Sequence, residues 1–440
     1  MRKKRSKGAE KYNVLKKTAI VFSDNHHTND VALRREMVQM ESAPASISKL
    51  EESKHRLALL PYIKDVEMAI KNIPGSDDVI DVNYKVKEDN SAQATFKIGY
   101  SQIYHTILGA GFNQKNFFGT GNTLGVNLQR SKFEQVYGID YTNPYYTVDG
   151  ISRGFNFMVS KIDPPSNIDN GYTSNEIAFG VLYGIPMGQE SNAFNRLQAG
   201  VSYENILINP NTHQNVVSNQ VSTFLNEHGR RFQHLDFKVG FSRDSRDKAI
   251  FATSGGLQTI FLDVYAPISR QSVIFYTINY HGKWYYPLTE QFILTSRADF
   301  GYGNGFHGAH DFPFFKNFYA GGFDSVRGYE GYILGPHDSK GKSLGGNLLT
   351  DASVGLIFPN YISDNLRTTL FFDVGNVYGL ANNRQFGGLS TNSGPLRYST
   401  GLEAAVLTPF GLIAAAITHP FVVLDSNEKE IFQISLGANF

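Results

Sequence analysis

The chain contains no cysteine. Disulfides, thiolate metal sites and cysteine nucleophiles are therefore excluded together, a composition compatible with an oxidising periplasm without requiring one. Neither sign of charge is in excess, since 41 basic and 40 acidic residues leave a formal net charge of +1. Nothing global points to nucleic acid or to an acidic partner. Long apolar runs are missing as well. Although 41% of the residues are hydrophobic, no stretch approaches the ~20 consecutive apolar residues of a membrane-spanning helix. The basic start MRKKRSKGAEKYNVLKK is not followed by the apolar segment of ~7–15 residues that a secretory signal needs. No signal peptide is evident, and residues 1–17 read as a solvated basic tail.

Glycine and aromatic residues are abundant. The 42 Gly, 33 Phe and 24 Tyr, against one Trp, favour strands and tight turns over helices. From residue 91 onward, alternating segments separated by polar or glycine-containing turns follow one another to the C-terminus. Sixteen are marked by pattern: 94–100, 106–114, 123–131, 135–143, 152–162, 175–184, 197–206, 232–242, 255–264, 274–285, 291–300, 347–358, 367–375, 398–407, 411–418 and 430–440. An even number suits antiparallel closure. In the last segment Phe432, Ile434, Leu436 and Phe440 share one parity, and Gln433, Ser435, Gly437 and Asn439 the other. One face suits lipid and one is polar. The expected class is mainly β, with a 16-stranded antiparallel transmembrane β-barrel over 91–440.

Residues 18–90 predict a small α/β module. Thr18 to Phe22 is a short strand, and Asn29 or Asp30 caps a helix with Val31, Leu33, Met37 and Met40 as its apolar positions. A second helix starts near Ser46 or Ser48, where Ser48 and Glu51 have capping-box spacing, and Leu50, Leu57 and Leu60 follow. Val66, Met68 and Ile70 alternate. After Pro74-Gly75-Ser76, Ile80, Val82, Tyr84 and Val86 alternate with polar residues. The order is β-α-α-β-β, and an available edge strand would allow strand addition, the plainer role being a spacer.

About 45 residues separate Phe300 from Gly346, too many for an idle hairpin. They contain Ser325-Val326-Arg327-Gly328-Tyr329. If this loop folds into the lumen, the Arg327 guanidinium needs an acceptor. Asp373 is the candidate, because Arg367, Thr369, Phe371 and Asp373 share one parity while Leu370, Phe372 and Val374 share the lipid-like one. A role confined to stabilising the fold stands beside direct contact with substrate.

Other motifs are weak. Gly119-Thr120-Gly121 with Gly125 has the wrong spacing for a dinucleotide loop and reads as a barrel turn. His26-His27 lacks a convergent third ligand and reads as a hydrated turn. Ser, His and Asp are scattered without a nucleophile elbow. No catalytic constellation, cofactor site or metal site is expected.

TNDVALRREMVQME (28–41), PGSDDVIDVNYKVKE (74–88), FFGTGNTLGVN (117–127), TNPYYTVDG (142–150), GGFDSVRGYEGYILGP (321–336) and FFDVGNVY (371–378) occur in an order that resembles the BamA family of bacterial outer-membrane protein assembly factors. The similarity covers roughly residues 18–440. It implies an outer-membrane location with the N-terminal module, a POTRA domain, in the periplasm. It also implies a 16-stranded barrel that inserts other barrels without ATP or covalent catalysis. Unfolded barrel clients and the lipid bilayer are the implied partners, with assembly-complex lipoproteins and periplasmic chaperones beside them. The family carries a signal peptide and five POTRA domains, where this sequence shows one POTRA and no signal. Its loop arginine is held by an aspartate in the FFDVGNVY-type strand and by a glutamate on the preceding strand, where this sequence has Gly355. Either the lock is weaker here or Asp351 substitutes.

These features join in assembly by strand exchange at a seam between the first and last strands, with Phe96, Ile98 and Tyr100 facing Phe432, Ile434, Leu436, Gly437 and Phe440. A poorly paired seam exposes a backbone template. Gly437 permits a bend or simply ends the strand. A two-partner-type secretion barrel, a mitochondrial sorting-and-assembly barrel and a passive porin are the alternatives.

Overall fold

The computed structural model describes residues 17–72, 79–147, 149–165, 168, 171–190, 193–211, 217–306, 312–360, 362–363, 365–379, 394–408 and 411–436. It divides into two compact units. The first runs to Ala94 and includes Phe112–Gly125 and Asp140–Ser152; the second comprises Thr95–Gly111, Val126–Ile139 and Arg153–Phe440.

In the N-terminal module β1 (Lys17–Ser23), α1 (Asp30–Arg34), α2 (Ile47–Ala58), β2 (Ile63–Asn72) and β3 (Val79–Glu88) follow in the expected order. Strand β3 is central, parallel to β1 and antiparallel to β2. Its alternation explains its place: Ile80, Val82, Tyr84 and Val86 are all buried, against Leu33, Leu50 and Leu57. Each such burial contributes about 1.5–3 kcal/mol. The Tyr84 hydroxyl donates to the Leu50 carbonyl at 3.0 Å, and burial pushes its pKa up to about 12.

The first helix is shorter than its apolar spacing implies. Val31 and Met40 are exposed, and Ala32 and Leu33 carry the burial. The chain tightens instead, with the amides of Glu36 and Met37 donating to the carbonyls of Leu33 and Arg34, three residues back rather than four. Helix α2 begins after Ser46, which makes no side-chain cap bond. Ser48 already lies inside the first turn, so no Ser48–Glu51 capping box forms. The turn at Pro74-Gly75-Ser76 lies outside the described residues.

The other sixteen strands close an antiparallel barrel. They are β4 (Ala92–Ser101), β5 (His105–Phe117), β6 (Asn122–Arg130), β7 (Glu134–Asn143), β8 (Ser152–Ile162), β9 (Tyr172–Glu190), β10 (Ala193–Pro210) and β11 (Arg231–Asp244). Then follow β12 (Gly255–Pro267), β13 (Phe275–Pro287), β14 (Ile293–Gly305), β15 (Leu348–Phe358), β16 (Leu366–Tyr378), β17 (Arg397–Thr408), β18 (Gly411–Pro420) and β19 (Phe432–Leu436). Period-two alternation sets the faces: on β16 Leu370 and Phe372 are exposed, whereas Thr369, Phe371 and Asp373 are buried. Among the described residues no helix is long and apolar enough to cross a membrane, a test that does not bear on strands.

Gly119 and Gly121 both adopt φ +73° in the turn between β5 and β6, the left-handed region that glycine enters without strain. The β10–β11 connection holds a helix, α3 (Asn219–His228), capped by the Ser218 hydroxyl accepting from the Val221 amide. Its signal was present as Ser218 followed by Val221, Phe224 and Leu225 at helical spacing, with Gly229 after the last turn.

Candidate functional site: the lumenal loop and the seam

Inward parity brings Ser353 of β15, Asp373 of β16 and Glu403 of β17 onto the lumenal wall of three successive strands. The β14–β15 connection folds against that wall. Arg327, only 7% exposed, donates from Nε and Nη2 to the two Asp373 oxygens at 2.7 Å each, and its own amide reaches Asp373 at 3.1 Å. Nη2 also donates to Ser353 Oγ at 3.0 Å, and Nη1 to Glu403. The guanidinium carbon sits 3.4 Å from the Phe371 ring centroid. A planar fork with this many partners has one orientation, and losing one carboxylate leaves a buried charge short of compensation.

The second carboxylate is on the strand after Asp373. Asp351 does not substitute for the absent glutamate at Gly355, because it is engaged elsewhere: it accepts from Arg297 at 3.1 Å and from the Ser325 hydroxyl at 2.7 Å. Glu403 fills the role. Arg297 also donates to the carbonyls of Asp324 and Ser325 at 2.9 and 2.6 Å. A second arginine therefore holds the chain just before the first. Arg297 and Glu403 are the residues missed from sequence. Their signal was a charged side chain at inward parity, visible once the strands are aligned.

The neighbours of Arg327 are fixed as well. Val326 and Tyr329 pack with Ala320, Leu334 and Val377, and the Tyr329 hydroxyl lies 2.9 Å from the carbonyls of both Tyr398 and Val422. Gly328 has φ +92°, a backbone conformation that favours glycine, and a Cβ there would stand a tight 3.1 Å from Thr418 Oγ1. Beside the loop lies a cavity of about 620 Å³ lined by Arg297, Arg327, Asp351 and Glu403 among others.

At the seam β19 pairs with β18 from Ile417↔Phe432 to Ile413↔Leu436, but with β4 only through Ser435↔Ser101 and Leu436↔Tyr100 among the described residues. Phe96 and Ile98 are 87% and 74% exposed, and Phe432 is exposed. Tyr100, Ile434 and Leu436 are half-buried, while Gln433 and Ser435 point inward and are buried. Gly437 and Phe440 lie outside the described residues.

In the first unit, the amides of His26, His27 and Thr28 all donate to the Glu88 carboxylate, at 2.6 Å for Thr28. Burial works against ionisation of Glu88, yet the Thr28 side chain and the His27 and Thr28 amides hold its pKa below the ordinary carboxylate value. His26-His27 is thus a turn tied to β3 through its backbone.

Residues 116–440 match the Omp85 superfamily domain, and residues 17–89 match the POTRA family, described as surface antigen variable number repeat. The chain is 30% identical to the outer membrane protein assembly factor BamA of Neisseria meningitidis serogroup B, over 96% of its own length and 56% of that protein. To the BamA of Nitratidesulfovibrio vulgaris it is 23% identical, over 96% and 51%. It therefore spans about half the length of these curated relatives. The crystal structure of BamA from Haemophilus ducreyi lacking POTRA domains 1–3 matches with a TM-score of 0.82 at 27% identity, covering 96% of this chain and 84% of that one. CdiB from Acinetobacter baumannii shares the fold alone, with a TM-score of 0.60 at 12% identity over 96% and 73%. The barrel, the POTRA module and these relatives place the protein in the bacterial outer membrane with its POTRA module in the periplasm. The chain belongs to the Omp85 superfamily, and within it resembles the BamA assembly factors.

Proposed function

We propose that the protein folds and inserts β-barrel clients into the outer membrane by offering strand-edge backbone groups at the β4–β19 seam. What supports this reading is the resemblance to the BamA assembly factors together with closure of the barrel between its first and last strands, where β19 meets β4 through Ser435↔Ser101 and Leu436↔Tyr100 among the described residues. Strand-edge N–H and C=O groups freed at such a junction border lipid and have no water to turn to, so an incoming strand that pairs with them gains more there than in solution. Hydrogen bonding and burial of the client's apolar face supply the free energy, and no covalent step is needed. Unfolded barrel proteins are the clients. Assembly-complex lipoproteins and periplasmic chaperones are the partners that such a role calls for.

The lumenal lock has a supporting part in this reading. Arg327, held by Asp373, Glu403 and Ser353, keeps Val326, Gly328 and Tyr329 against the wall that ends at the seam, so β15 to β18 stay in place while the seam opens. A polypeptide-secreting barrel would instead have to clear this buried ion pair from its path. The test is a disulfide between cysteines introduced at Ser101 and Ser435, which face each other across the seam. In proteoliposomes the oxidised protein should insert no client barrel, and reduction should restore insertion. Full insertion by demonstrably cross-linked protein would refute the seam mechanism.

A further inference from the structure

The two strands of the seam are attached to the lumenal loop in different ways. On the β19 side the attachment is backbone-like. The Glu430 amide donates to the Gly328 carbonyl at 2.9 Å and the Glu330 amide to the Glu428 carbonyl at 2.8 Å, so 328–330 runs as a short antiparallel partner of 428–430, with a bridge at Tyr329↔Lys429. Gln433, fully buried on the inward face of β19, continues the pairing with its side chain. Its Oε1 accepts from the Gly328 amide at 3.1 Å, and its Nε2 donates to the Tyr329 carbonyl at 2.8 Å and to Glu430 at 3.0 Å. The Thr418 hydroxyl lies 3.1 and 2.9 Å from the carbonyls of Glu430 and Ile431.

On the β4 side the attachment is slighter. In the β4–β5 turn Ile103 packs against Gly322 and Gly331, and the Tyr104 and Tyr332 hydroxyls meet at 2.9 Å. The turn also reaches β19 directly through one side chain: Gln102 Nε2 donates to the Phe432 carbonyl at 3.1 Å, and its Oε1 accepts from the Ile434 amide at 3.3 Å. A side-chain amide here occupies backbone groups that a neighbouring strand would otherwise pair with.

We propose that Gln433 is a positioning residue that fixes the register of the last strand by clasping the Gly328–Tyr329 backbone, and that Gln102 is the releasable latch, so that the seam opens by departure of β4 while β19 stays. The proposal rests on the seam reading above and deepens it. An amide with both donor and acceptor can match the N–H and C=O of adjacent residues at once. A partly exposed pair of bonds through one flexible side chain yields before a set whose bonds to the loop backbone are buried.

The experiment uses the full chain in proteoliposomes and scores only the fraction that keeps the electrophoretic mobility of folded barrel. Two cysteine pairs report register: Ser101 with Ser435, which face each other, and Gly99 with Ser435, two residues out of register. In the otherwise unaltered protein only the first pair should link. Gln433→Met, which removes all three bonds, should lower the in-register disulfide at least about fivefold, the effect of a single lost hydrogen bond, and make the Gly99 pair link; Gln433→Glu, which keeps the acceptor, should fall between. Gln102→Leu should lower the in-register yield without any out-of-register product. It should also speed hydrogen exchange at 96–101 and leave the Glu430 amide protected. A contribution to folding alone would reduce the folded fraction and leave its register unchanged, which would overturn the assignment of Gln433. Should Gln433→Met yield no folded barrel, Gln102→Leu carries the test: equal loss of protection at Glu430 would overturn the division into fixed and departing strands. Unchanged register in Gln433→Met with lost client insertion sinks this proposal alone, whereas full insertion by the Ser101–Ser435 cross-linked protein sinks the seam reading.

Discussion

The β9–β10 ladder and the β19–β4 seam are made from the same repeating pattern and hold different places in the barrel, one inside the chain order and one where its first and last strands meet. Strands β9 and β10 have 19 and 18 residues and stay in register from Ala193↔Glu190 to Pro210↔Tyr172 with one irregularity near Phe194. Strand β19 has 5 residues and meets β4 at Ser435↔Ser101 and Leu436↔Tyr100 among the described residues. Alternation alone does not separate the two regions, since Phe432, Ile434 and Leu436 alternate as regularly as the residues of β10. What the structure describes at the two places differs in the loop contacts as well as the ladder: beside the β19–β4 junction the Gln102 side chain takes the Phe432 carbonyl and the Ile434 amide. On the seam reading proposed above, the long ladder is the wall and the β19–β4 junction is the place where the barrel opens.

The sharpest way to break this comparison is to lock both places. A disulfide between cysteines at Val181 and Val201, which face each other on β9 and β10, should leave client insertion intact, while the Ser101–Ser435 disulfide should abolish it. Equal loss from both would mean that the whole barrel must deform, and the distinction between wall and seam would fail.

The next largest effect concerns the lock that holds the wall beside the seam. Asp373→Ala or Arg327→Ala leaves its partner buried and short of compensation, at a cost on the order of 3–5 kcal/mol, less where water enters. Limited proteolysis within 321–336 should rise in both variants, and client insertion should fall. Unchanged protease sensitivity and insertion in both would remove the lock from the account.

A smaller effect is expected at Gly355. A Cβ there would stand 2.8 Å from Thr369 Cγ2 and 3.0 Å from Thr295 Cγ2, and Arg327 already has Glu403. Gly355→Glu should therefore destabilise the barrel by about 1–3 kcal/mol through overpacking rather than strengthen the lock. A raised unfolding midpoint in urea would contradict this.

The smallest effect lies in the N-terminal module. Glu88 has its pKa lowered in the folded state, so its contribution is present above the ordinary carboxylate pKa and is lost as pH falls through the lowered folded value. Glu88→Gln should cost roughly 1 kcal/mol at neutral pH, reduced by solvent screening, and nearly nothing at strongly acidic pH. Hydrogen exchange in β3 at the two pH values measures the difference, and a cost that does not change with pH would exclude the charge as its source.

The sequence alone determined the order of elements and the face that each residue occupies. Period-two alternation depends on neighbours one and two positions away, so the sixteen strand segments, the inward parity of Asp373 and the buried face of β3 were all legible. Helix α3 was not read from the sequence, although Ser218, Val221, Phe224 and Leu225 carry its spacing, because it lies inside a loop between strands. Tertiary structure alone decided which inward charges meet. Glu403 rather than Asp351 completes the Arg327 site because strand order and stagger set lumenal distances, and these depend on closure of the whole sheet. The same holds for Gln433: as a residue it is one more polar side chain on an inward face, and it becomes a clasp only because a loop more than 100 residues earlier in the chain is folded back onto it.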